Sequence, residues 1–99
     1  MDLGIDNLNK AFESRVRLGI MSILMVNENA DFSRLKELLG VTDGNLASHI
    51  SALEKSGYIK VTKQFIGKKP NTAYSATSSG RNAFRVHLDN LEKLIKRNR

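Results

Sequence analysis

Apolar residues recur every three or four positions over most of this chain, and every second position over one stretch. Leu8, Ala11 and Phe12 sit at helical spacing in residues 7–12. Val16, Ile20, Ile23 and Leu24, with Leu18 at the edge, then predict a longer helix. Ser14 is placed to cap it, and Asn27 and Asn29 to end it, since asparagine tolerates turns and left-handed backbone. Ala30-Asp31-Phe32 reads as a short extended link. Ser33 then caps a brief helix with Leu35, Leu38 and Leu39 inward and Gly40 as its stop. Thr42-Asp43-Gly44-Asn45 combines a turn with a helix start, and Leu46, Ile50 and Leu53 follow at i, i+4 and i+7. Ser56-Gly57 supplies a left-handed stop.

The period then switches from 3.6 to 2. Residues 58–66 are rich in β-branched and aromatic side chains and alternate polar with apolar. Gly67-Lys68-Lys69-Pro70-Asn71 breaks the run with turn chemistry, and residues 72–77 give a second strand, hence a hairpin with Pro70 in its loop. Ser78-Ser79-Gly80 leads into a last helix whose stripe is Phe84, Leu88, Leu91 and Ile95. The order is helix, helix, short strand, helix, helix, strand, strand, helix. Two short helices joined by a tight turn and followed by a basic hairpin predict a mainly α fold with a β-hairpin wing, a winged helix-turn-helix.

Composition narrows the chemistry. Ninety-nine residues suit one domain with a single core, without room for a large enclosed site. The formal charge of +6 points to a polyanionic partner. With no cysteine, disulfides and thiolate metal sites are excluded, and His49 and His87 have no ligand spacing that suggests a metal. No signal peptide is visible, and the longest apolar stretch, residues 18–26, is too short to span a bilayer, so a cytoplasmic location is expected. No Ser–His–acid grouping or Gly-rich phosphate loop stands out, so neither catalysis nor a cofactor is expected.

Three constellations carry the functional reading. In the helix of about residues 43–56, setting Leu46, Ile50 and Leu53 inward turns Gly44, Asn45, Ser48, Ser51, Ala52 and Lys55 outward, with His49 at the flank. A solvated helix face usually carries Glu–Lys pairs, whereas this one is mostly short and neutral, which lets it approach base edges in a major groove. Asn45, Ser48 and His49 are the expected base contacts; His49 has the alternative of flanking the core. Thr42 is either a helix cap or a phosphate neighbour, and Asp43 a cap, because phosphate repels a carboxylate.

The hairpin, about residues 58–77, is the second. Residues 55–69 include Lys55, Lys60, Lys63, Lys68 and Lys69 and no acid. Lys68 and Lys69, at the loop, are expected on the phosphate backbone or in the minor groove, whereas Lys60 and Lys63 suffice as edge-strand guards against aggregation. Arg34, opening the helix before the turn, is a candidate phosphate clamp. The third is the last helix, which extends beyond what its own core needs. Leu91, Leu94 and Ile95, with Leu3, Ile5 and Leu8 near the N-terminus, make a candidate dimer interface, while Phe84 and Leu88 go to the chain's own core. Lys93, Lys96, Arg97 and Arg99 suit the helix macrodipole and need no DNA role.

The runs Ser14-Arg15-Val16-Arg17-Leu18-Gly19-Ile20 and Phe32-Ser33-Arg34-Leu35-Lys36-Glu37-Leu38-Leu39-Gly40-Val41-Thr42-Asp43-Gly44-Asn45-Leu46-Ala47-Ser48-His49-Ile50 resemble compact winged-helix regulators. So do Leu53-Glu54-Lys55-Ser56-Gly57-Tyr58-Ile59, Pro70-Asn71-Thr72-Ala73-Tyr74 and Ala76-Thr77-Ser78-Ser79-Gly80-Arg81. The chain is similar to MarR-like and ArsR-like repressors reduced to one small domain. That resemblance implies a homodimer that dimerises through its terminal helices and reads a palindromic DNA operator. It departs from metal-sensing ArsR-like members in lacking cysteine, and from MarR-like proteins in lacking longer helical arms. The expected function is a sequence-specific regulator of transcription, a repressor because no separate activating segment exists. One alternative is a protein-interaction module without DNA affinity. Another keeps DNA binding and adds a small-molecule effector at the dimer interface.

Overall fold

The computed structural model describes residues 4–97; Leu3 and Arg99 lie outside that range. The N-terminal segment forms two 3-10 turns, Ile5–Asn7 and Lys10–Phe12, rather than one helix. Asn9 causes the break. Its backbone is extended, its side chain accepts from the Ala11 N–H, and its own N–H turns away to donate to His87 Nδ1 at 3.0 Å.

Helix α1 (Arg15–Val26) starts where expected. Ser14 is extended, and its Oγ accepts from the Arg17 N–H, a cap of about 1 kcal/mol. Ile20, Met21 and Leu24 are fully buried, so Met21 joins the core while Val16, Leu18 and Ile23 pack at its margin. The helix ends at Asn27 with extended rather than left-handed backbone; its side-chain N–H donates to the Ile23 carbonyl.

After β1 (Ala30–Asp31) comes α2 (Phe32–Leu39), and two expectations fail there. Asp31, not Ser33, is the cap: its carboxylate accepts from the Arg34 N–H at 2.7 Å, starting the helix two residues earlier than the Ser33 cap implies. Leu38 is not inward but 50% exposed. Leu39 seats against Gly19 of α1, and that contact rotates α2 so that Leu35 and Leu39 share the buried side. Gly40 closes the helix in left-handed backbone, as its position suggested.

Helix α3 (Asp43–Lys55) is capped by Thr42, whose Oγ1 accepts from the Asn45 N–H at 3.2 Å. Leu46, Ile50 and Leu53 are buried as their spacing required. At its end the Tyr58 N–H bonds the Leu53 carbonyl and the Gly57 N–H bonds that of Glu54, the paired closure that needs Gly57 at φ 78°.

Strands β2 (Ile59–Ile66) and β3 (Lys69–Ala76) form the hairpin, and β1 adds a short third strand in the antiparallel order β1-β3-β2. The turn is only Gly67-Lys68, so Pro70 lies within β3 opposite Phe65 rather than in the loop. In a two-residue hairpin the pair beside the turn, here Ile66–Lys69, exchanges hydrogen bonds, so the next pair points its backbone outward. Because β1 pairs only with Ala73 and Tyr74, that flank of Pro70 needs no donor.

Helix α4 (Ser78–Arg97) begins with the Gly80 N–H donating to Thr77 Oγ1 at 2.9 Å, which puts Gly80 inside the helix rather than before it. Its buried residues are Gly80, Phe84 and His87. Leu88, expected in the core, is 45% exposed, and the polar His87 takes that place. His87 is ringed by Phe12 and Phe84, with centroids 5.3 and 6.4 Å away, and its Nδ1 holds the Asn9 N–H.

An imidazole that accepts through Nδ1 is bound in its neutral form. Burial pushes the pKa of His87 below the ordinary histidine value, with the Glu13 carboxylate opposing. The unfolded chain therefore binds this proton more readily than the folded one. The contribution of His87 to stability is complete above about pH 6.5 and is lost as pH falls through its lowered folded-state pKa. Urea unfolding between about pH 7.5 and about pH 5 should show that decline, and His87→Gln should flatten it. An unchanged pH profile in His87→Gln would contradict the assignment.

Candidate nucleic-acid interface

The exposed side of α3 presents Gly44, Asn45, Ser48, Ser51 and Lys55 to solvent, with Ala52 half-buried beside them. None is acidic. The acids of this helix lie off that side: Asp43 Oδ1 accepts an ion pair from Lys36 Nζ at 2.8 Å, and Glu54 is near the far end. The helix-turn-helix thus leaves a face of mostly small side chains without acid, one that a base edge can reach closely. Thr42 Oγ1 is used as a cap acceptor, which still leaves its own hydrogen to donate to a phosphate.

His49 sits at the flank, half-buried, and its Nδ1 accepts from Arg17 Nε of α1 at 3.0 Å. This bond fixes the ring's proton on Nε2, making that nitrogen a donor. Arg17 was missed by reasoning from sequence. It lies 32 positions from His49, and nothing local signals that α1 reaches across to α3.

The wing supplies the positive charge. Lys60, Lys63, Lys68 and Lys69 are all exposed, and Lys68 and Lys69 flank the tight end of the hairpin. Gly67 takes φ 65° while Lys68 has negative φ, so the glycine leads the two-residue turn, the arrangement that matches strand twist. A polar chain ties the wing to the helix-turn-helix. Gln64 Nε2 donates to Asn71 Oδ1, Asn71 Nδ2 donates to Asp31 Oδ2, and the other Asp31 oxygen caps α2. Arg34 is exposed on the first turn of α2, with Glu37 at 3.7 Å.

Residues 16–95 match the family model of the winged helix DNA-binding domain, a span that includes α3 and the whole hairpin. The chain belongs to that family. Among winged helix relatives, a transcriptional regulator homologue from Pyrococcus horikoshii OT3 is 36% identical and superposes with a TM-score of 0.80, covering 87% of this chain and 85% of that one. An uncharacterized protein of Methanocaldococcus jannaschii is 37% identical over 87 residues, which make up 88% of this chain and 95% of that protein. The YusO protein of Bacillus subtilis shares the fold at a TM-score of 0.81 with 17% identity, over 96% of this chain and 67% of that one.

The remaining expected residues lie away from the winged helix's α3 and hairpin. Ile5 and Ile95 are exposed, Leu91 is 37% exposed, and Leu8 and Leu94 are half-buried. Beyond His87, no described residue of α4 is buried, so the outer half of the helix carries Leu88, Leu91 and Ile95 outside the core. No group of three or more metal-binding side chains occurs among the described residues, and no helix there is long and apolar enough to cross a membrane.

Proposed function

We propose that this winged helix protein is a sequence-specific regulator of transcription that binds duplex DNA as a homodimer. The observation that carries the reading is the acid-free outer face of α3 beside a hairpin tipped by Lys68 and Lys69. In this reading α3 enters the major groove with Asn45 and Ser48 at base edges. His49 Nε2, held by Arg17, donates to a base or phosphate at the flank. Lys68, Lys69, Lys55, Arg34 and the Thr42 hydroxyl hold the backbone, giving affinity but no sequence choice.

Support for the dimer comes from the unburied half of α4. Leu91, Leu94 and Ile95, joined by Ile5 and Leu8, form a patch suited to a two-fold interface. Two α3 helices about 34 Å apart would then address the halves of an inverted repeat. The proposed mode of control is repression, by occupying the operator, and it requires no catalytic chemistry.

Asn45→Ala and Ser48→Ala test the recognition face. Each is expected to cost about 1–3 kcal/mol on the preferred duplex and to relax the choice of base at one position, as read by competition among single-base variants of that duplex. Unaltered preference in both variants would remove the face assignment. A monomer that binds no duplex, but forms a salt-insensitive complex with another protein, would favour an interaction module instead.

A further inference from the structure

The hairpin tip holds a feature that phosphate contacts do not use. Phe65 is 74% exposed and Ile66 61% exposed, at the end of a ribbon that carries Lys63, Lys68 and Lys69. Phe65 and Pro70 are directly paired, so their side chains stand on one face of the ribbon. Followed back along β2, that face passes Lys63 and Val61 and reaches the core at Ile59. The body therefore covers the base of this face and leaves its end bare. Ile66, the next residue, points to the opposite face.

We infer that Phe65, braced by Pro70, is an apolar wedge that enters the minor groove of duplex DNA beside the site read by α3. The inference rests on the DNA-binding reading above. Two observations select this occupant. The tip has no negative charge to repel a phosphate backbone: residues 55–88 contain no acid at all. The ribbon is also fixed to the helix-turn-helix, through the polar chain from Gln64 to Asp31, the cap of α2. Lysines over the phosphates bring the tip to the groove, and the phenyl ring then packs on deoxyribose and base edges, prying at a base step as apolar wedges do. Lysine contacts make affinity depend on salt, whereas burial of a phenyl ring does not, so the two contributions separate experimentally.

The test uses the full chain and a fluorescent duplex of the sequence that it selects, with 2-aminopurine beside the step facing the wing. Binding is titrated at several salt concentrations for the wild type, Phe65→Ala and Phe65→Leu. Phe65 is outside the core, so both variants retain the fold. Phe65→Ala is expected to bind about tenfold more weakly with an unchanged salt slope, and Phe65→Leu to recover most of the loss. The 2-aminopurine signal should rise with the wild type and not with Phe65→Ala. Wild-type binding that Phe65→Ala leaves within about twofold would overturn the wedge and leave the DNA reading intact. So would a loss accompanied by a flatter salt slope. A wild type with no affinity for any duplex would overturn both. Loss of binding to phosphatidylserine vesicles, or of dimer formation, with duplex affinity unaffected would assign Phe65 to a membrane or to a second copy and likewise overturn the wedge.

Discussion

Replacing Gly80 with alanine is expected to destabilise the protein by about 3 kcal/mol or more, the upper range for overfilling a packed site. A Cβ at Gly80 would meet the Tyr58 carbonyl oxygen and carbon, with the Tyr58 Cα 2.9 Å away. These are backbone atoms, and they are held in place. The Tyr58 oxygen accepts from the Thr77 N–H, while Thr77 Oγ1 donates to the Gly57 carbonyl and caps α4 through Gly80. Neither side can yield without separating α4 from the start of β2. The roughly 1 kcal/mol that alanine gains over glycine in a helix does not offset that. Gly19 is the internal comparison, since a Cβ there meets the mobile end of the Leu39 side chain, which can turn away. Gly19→Ala should therefore fall within about 1 kcal/mol of the wild type. Urea unfolding of both variants checks the pair. A Gly80→Ala midpoint no lower than that of Gly19→Ala would contradict the close approach.

The second large effect concerns affinity. Each phosphate contact contributes about 0.9 to the slope of log affinity against log salt. Removing two with Lys68→Ala and Lys69→Ala together should lower that slope by about 1.8. At about 50 mM salt the same arithmetic gives roughly a 200-fold loss, vanishing toward 1 M. The loss should be alike for preferred and unrelated duplexes, because phosphates carry no sequence information. Fluorescence anisotropy across a salt series decides it. A loss confined to one sequence, or an unchanged slope, would mean that the wing tip reads bases and that the backbone is held elsewhere.

How far residues announced their own structure depended on whether the controlling interaction was local. The buried face of α3 follows from Leu46, Ile50 and Leu53, and its stop from Gly57, because both act within a few residues. The exposed side of that helix follows by subtraction, which is why Asn45 and Ser48 could be singled out. The errors came from contacts between distant segments. Leu38 and Leu39 have equal claims to the core until Gly19 accepts one of them. Leu88 fits an apolar stripe that ignores His87, which is buried because Asn9 supplies it with a donor from 78 positions away. Pro70 reads as a loop residue until pairing register shows that its missing N–H faces an unpaired flank. One local choice also went astray, the cap of α2, where Asp31 and not Ser33 two residues later is used and spacing does not resolve the two. The Arg17–His49 bond, which sets what His49 can offer DNA, is of the same distant kind.

The most direct test of the central claim is a selection by the intact protein from a pool of random duplex DNA, at low and moderate salt. An enriched inverted repeat is expected, with half-sites about one helical turn apart, retained at both salts but more weakly at the higher. A pool that emerges with no enriched sequence, or no retention of duplex at low salt, would contradict it.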